Sequence, residues 1–217
     1  MIAKTIRVLV LTIAGMSATF GAPLHINGGI NNVGGNAMGD FWQADDFVLG
    51  AFSNITSIVF YSLEGPGAYL GSIDWAIYSS VGNQPGALLG GGNATPARVS
   101  LGTVVGLGLD AFENTLSVSV IGLAATQYWL LLHNGPVSTT AFSDFYWAWT
   151  DLNVVNNGTT RGLEQSLFPP SLTWDDNSSE HAFSIMGDLV TSNVPEPGTM
   201  ILLSAGLAAL LLRRKGI

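Results

Sequence analysis

The apolar residues in the middle of this chain come in short runs that alternate with polar ones, and glycine-rich stretches separate the runs. Ile73-Asp74-Trp75-Ala76-Ile77-Tyr78 and Leu116-Ser117-Val118-Ser119-Val120 repeat with period two, the side-chain period of a strand that buries one face. Residues 55–61, 127–133, 145–149 and 182–190 are further strand-like runs. Turn signals lie among them: Glu64-Gly65-Pro66-Gly67, Gly82-Asn83-Gln84-Pro85-Gly86, Gly90-Gly91-Gly92-Asn93 and Asn156-Asn157-Gly158. Helical periodicity is missing between the two ends. Short strands with turns at this spacing predict an all-β body, an antiparallel β-sandwich or jelly roll.

The ends follow a different rule. In residues 1–22, Lys4 and Arg7 precede an apolar stretch over 8–16, and Thr19 and Gly21 are small enough for the −3 and −1 sites of a signal peptidase. Cleavage is expected near Gly21 or Ala22. At the other end, residues 200–212 are thirteen apolar or small residues. As a helix they reach about 20 Å, against a hydrocarbon core of about 30 Å. Pro195 and Pro197 keep that helix from extending toward the body. Arg213, Arg214 and Lys215 follow it and are expected to stop transfer, because positive charge beside an apolar segment stays cytoplasmic. The organisation expected is a signal peptide (1–22), an exported domain (23–193) and a sorting signal (194–217).

The tail Val194-Pro195-Glu196-Pro197, then a short apolar helix, then Arg213-Arg214-Lys215 resembles the PEP-CTERM sorting signal of Gram-negative bacteria. The resemblance implies processing by an exosortase, a membrane cysteine protease-transpeptidase. It also implies export through signal peptidase and the general secretion machinery, transient residence in the inner membrane, and a final place at the cell surface or outside the cell. Two strings in the body are similar to exported β-sandwich domains that often precede such tails. One is Gln43-Ala44-Asp45-Asp46-Phe47 followed by Ile55-Thr56-Ser57-Ile58. The other is Ile77-Tyr78-Ser79 followed by Pro85-Gly86-Ala87-Leu88-Leu89.

Charge narrows the partners. Between Ala22 and Val194 the basic residues are Arg98 and Arg161 alone, against fourteen Asp and Glu, a net −12. Nucleic-acid binding needs clustered Lys and Arg, so it is excluded. Cysteine is absent, which removes disulfides, thiolate metal sites and cysteine nucleophiles.

Catalytic motifs are missing too: there is no Gly-x-Ser-x-Gly, no phosphate-binding glycine loop and no His-Glu-x-x-His. His25, His133 and His181 stand apart in sequence, and His133 is expected at the surface end of a strand. Asp45-Asp46 and Asp175-Asp176 are the densest carboxylates and the candidates for a glycosidase-like pair. Asp175-Asp176-Asn177-Ser178-Ser179-Glu180 is a run of hard oxygen ligands. It departs from an EF-hand loop, since Glu180 stands where glycine is required and Met186 where the bidentate acid is required. A looser calcium site on Asp175, Asn177 and Glu180 and a plain solvated turn are its two readings. In Phe145-Tyr146-Trp147-Ala148-Trp149-Thr150-Asp151 the alternate aromatics share a strand face. Exposed, Trp147 and Trp149 beside Asp151 would make a sugar-binding face; buried, they belong to the core.

The function expected is therefore a non-catalytic surface or matrix protein, sorted by exosortase and associated with extracellular polysaccharide, with no cofactor unless calcium. The alternative is a secreted polysaccharide hydrolase working through a carboxylate pair.

Overall fold

The computed structural model describes residues 21–138, 143–151, 162–167 and 173–190. The signal peptide up to residue 20, the sorting tail and the Asn156-Asn157-Gly158 turn lie outside the described residues. The described elements are all strands. In chain order they are β1 (Ala22–Ile26), β2 (Ile30–Ala37), β3 (Phe41–Val48), β4 (Ser53–Glu64), β5 (Ile73–Val81), β6 (Gln84–Ala94) and β7 (Ala97–Val104). There follow β8 (Leu109–Leu123), β9 (Gln127–Asn134), β10 (Phe145–Thr150), β11 (Leu163–Ser166), β12 (Asp175–Asp176) and β13 (Phe183–Leu189).

Every named pairing is antiparallel, and the strands form two sheets, as the alternating pattern predicts. The first sheet runs β1-β13-β4-β10-β2, with β8 on the other side of β4 and β7 beyond β8. The long strand β4 organises it. Ser53 to Phe60 pair with β13, Ser62 to Glu64 with β10, and almost the whole strand pairs with β8. The second sheet runs β12-β11-β3-β9-β5-β6.

The core lies between the sheets. Ile55, Ile58, Phe60, Leu116, Phe145, Trp147, Phe183 and Ile185 from the first sheet meet Phe47, Ile73, Ile77, Leu130 and Leu132 from the second. Strand β8 shows the sorting by period two: Leu116 and Val120 are buried while Ser117 and Ser119 are exposed. Strand β9 is buried along both faces. Leu130 and Leu132 enter the main core, while Trp129 and Leu131 join Ala44, Ala76 and Leu163 on the outer face, packed beneath Trp42, Tyr78 and Trp174. A strand covered on both sides reads as a continuous apolar run, which is how Tyr128-Trp129-Leu130-Leu131-Leu132 looks in the sequence.

Two expectations are corrected. Gly90-Gly91-Gly92-Asn93 is part of strand β6 rather than a turn, paired with Ile77, Ala76, Trp75 and Asp74 of β5. Glycine is required there by close approach, since a Cβ on Gly90 would lie 2.8 Å from Val120 Cγ2 of the facing sheet. His133 is fully buried, not a surface residue. Its ring nitrogens lie 2.9 Å from Gly135 O and 3.2 Å from Gly39 O, so the ring N–H donates to the loop backbone around it.

Candidate functional site

Strand β3 carries Asp45 and Asp46, and both are fully buried. The chain brings Glu180 to them from the segment that leads into β13, and ligand oxygens of the three carboxylates lie within 4.8 Å of one another. Asn27, fully buried just after β1, completes the group. Its Nδ2 donates to Glu180 Oε2 at 3.2 Å and to His181 O at 2.9 Å. Asp46 Oδ2 accepts from Gln127 Nε2 at 2.8 Å. The Asp45-Asp46 pair therefore occurs as the sequence spells it, but its third carboxylate comes from the far end of the domain.

Next to this group, His181 bridges Asp45 and the Trp147 region. Asp45 Oδ2 accepts the His181 backbone N–H at 2.7 Å and lies 2.8 Å from His181 Nδ1. The imidazole stacks on Trp147 with ring centroids 4.4 Å apart. Burial pushes the His181 pKa down to about 3, so the ring is neutral and the Asp45 contact is a hydrogen bond rather than an ion pair. Its Nε2 lies 3.2 Å from Asn36 Oδ1, which also accepts Trp149 Nε1–H at 2.5 Å. Indole nitrogen can only donate, which fixes the Asn36 amide with its oxygen toward both rings. Nε2 is then the protonated nitrogen, and Nδ1 turns its lone pair toward Asp45. Burial raises the Asp45 pKa well above the usual carboxylate range. Burial, and then the neighbouring Asp45 charge, push Glu180 up to about 8.

The residues expected to bind sugar are placed otherwise. Trp147 is fully buried; it packs edge-on to Phe183 at 5.6 Å and donates Nε1–H to Ala182 O at 3.2 Å. It presents no face to solvent, because the Trp147 side of β10 is the core side of the first sheet. The Trp149 ring packs over Gly34, where a Cβ would lie 2.6 Å from Cζ3, and Asp151 Oδ1 holds Gly29 N–H at 2.9 Å. The loop calcium set is likewise split. Asp175 is exposed and pairs with Glu164 at a sheet edge. The Asn177 amide donates to Gln43 Oε1 at 2.8 Å and accepts Ser179 N–H at 3.1 Å. Of the three, Glu180 alone enters the carboxylate group, because the chain turns inward between Asn177 and His181.

Sequence inspection missed a second feature, a groove of about 330 Å³ on the outer face of the second sheet. Trp42, Tyr78 and Leu88 line it, together with Asp74 and Asn93 at one side and a glycine floor from β6. Asn93 Nδ2 donates to Asp74 Oδ1 at 2.5 Å, and Val137 N–H is held by Asp74 Oδ2 at 2.7 Å. The signal was present in the sequence only as Trp42 on β3 and Tyr78 on β5, and it is pairing through β9 that puts the two on one face.

Residues 193–215 match the family model described as the PEP-CTERM protein-sorting motif. The chain thus joins an all-β body of two antiparallel sheets to an exosortase sorting signal, and it is an exported protein processed by that enzyme. No curated protein and no solved structure matches it.

Proposed function

We propose that the chain is a non-catalytic cell-surface or matrix protein that associates with extracellular polysaccharide through the outer face of its second sheet. The observation that carries this reading is the groove between Trp42 and Tyr78, flanked by Asp74 and Asn93. Sugar rings offer apolar faces to aromatic side chains and hydroxyls to amides and carboxylates, and a shallow site mixing the two kinds of group suits them. A non-catalytic role is supported by the placement of the densest acids. Asp45 and Asp46 are sealed in the interior rather than facing one another across a cleft, as a glycosidase pair must. Export by an N-terminal signal peptide and temporary anchoring by residues 200–212 complete the reading. Retention of Trp42→Ala and Tyr78→Ala variants on polysaccharide purified from the producing cells, with dextran as a neutral control, tests it. Both should lose retention severalfold while still folding. Full retention by both would remove the groove from the function.

A further inference from the structure

Three side-chain oxygens in one part of the interior accept from no N–H or hydroxyl group: Asp45 Oδ1, Glu180 Oε1 and Asn27 Oδ1, although the Asp45 and Glu180 carboxyls are close enough to share a proton with each other. They are not scattered. Asp45 and Glu180 belong to the carboxylate group whose ligand atoms lie within 4.8 Å of one another, and Asn27 lies beside that group, its Nδ2 donating to Glu180 Oε2. Asp45 and Asn27 are fully buried, so bulk water does not reach them. A buried acceptor without a partner is costly, and several carboxylates at this spacing also repel one another.

We propose that Asp45, Asp46 and Glu180, with the side-chain oxygen of Asn27, bind one divalent cation, and that the cation is calcium. The donor set is all oxygen and mostly anionic, the set that hard cations select over zinc or copper. His181 is not a ligand, since both its ring nitrogens already face Asp45 and Asn36. It is a positioning residue: its N–H and Nδ1 hold Asp45 Oδ2 and leave Oδ1 for the ion.

The ligands come from both layers. Asp45 and Asp46 sit on β3 of the second sheet, while Asn27 follows β1 and Glu180 precedes β13 in the first. The ion would fasten the two sheets together. An exported protein meets calcium outside the cytoplasm, where structural modules commonly bind it with Kd of about 10⁻⁴–10⁻³ M. This inference is independent of the sugar groove.

The test uses the full chain, purified in detergent and stripped with EDTA, with melting followed while calcium chloride is added and stoichiometry measured by calorimetry. One ion per chain is expected, with melting raised by roughly 5–10 °C at a hundredfold excess over Kd. Asp45→Asn risks the fold, because Asp45 also anchors His181. Glu180→Gln is the decisive variant. It keeps the size of the side chain and removes its anionic oxygen, so in EDTA it should melt close to or above the wild-type temperature, and it should bind calcium at least tenfold more weakly. Wild-type melting and heats indifferent to calcium would overturn the proposal. So would a calcium response that Glu180→Gln keeps in full, or a larger response to magnesium than to calcium.

Discussion

At the scale of single residues, Trp147 and Trp149 look alike in sequence and behave differently in the fold. Trp147 is enclosed by His181, Phe183 and the Ala182 carbonyl, whereas Trp149 keeps part of its ring in solvent and is tied by its indole N–H to Asn36. Trp147→Ala should therefore cost about 3–5 kcal/mol, the transfer of a large ring plus the cavity it leaves. Trp149→Ala should cost clearly less, since its ring is only partly buried. Urea denaturation of the two variants checks this, and equal losses would contradict the placement. The sequence carried the alternation that puts both on one strand, but not the side of the sheet on which the core lies. That choice is made by partners far along the chain, such as Phe183 and His181. The same limit applies to the acids. Asp45-Asp46 is visible as a pair, yet the contacts that bring in the Glu180-His181 segment span 136 positions, and no local pattern records them. Arg98, one of the two basic residues of the acidic body, pairs with buried Glu64 and lies against the Tyr69 and Phe112 rings, 4.0 and 4.2 Å from their centroids.

At the scale of elements, the strands legible in sequence are those that bury one face or both. Runs 55–61, 73–78, 116–120, 127–133, 145–149 and 182–190 all fall on or largely within β4, β5, β8, β9, β10 and β13. Strands β2, β6, β7 and β11 are polar, glycine-rich or short, so their residues follow hydrogen-bonding neighbours rather than any periodicity of their own. Strand β6 is the clearest case, because its glycines admit the facing sheet. Gly90→Ala would set a methyl group 2.8 Å from a Val120 methyl carbon on a stiff, branched side chain. A loss of about 1–3 kcal/mol is expected from the overpacking. Gly50→Ala is the control: nothing lies within 4 Å of its Cβ position, and a change within about ±0.5 kcal/mol is expected. Thermal melting of both variants decides it; a Gly90→Ala chain as stable as the control would mean that the sheets do not approach as closely as the fold requires.

At the scale of the whole molecule, the important feature is where the body begins and ends. Strand β1 starts at Ala22, the residue near which the leader is expected to be cut, and Ala22 pairs with Gly187 close to the end of β13. The contact is close, as a Cβ on Gly21 would lie 2.6 Å from Gly187 Cα. The chain therefore enters and leaves the described body at one corner of one sheet. The leader and tail expected from the sequence would, attached at one corner, be able to share a bilayer with the sandwich on one side of it, the arrangement that positive charge at both ends favours. Altering the tail is expected to leave the body folded. Replacing Arg213, Arg214 and Lys215 by glutamine should weaken retention of the short apolar run in the inner membrane, since thirteen residues are too few to hold without a charged stop. The variant precursor should be mis-sorted and escape cleavage near Pro195-Glu196-Pro197, while the body melts at the wild-type temperature. Cell fractionation and intact-mass analysis read the first two outcomes, and thermal melting reads the third. Unchanged localisation and cleavage would show that the basic cluster has no part in sorting, and a lowered melting temperature would show that the tail is not separable from the sandwich.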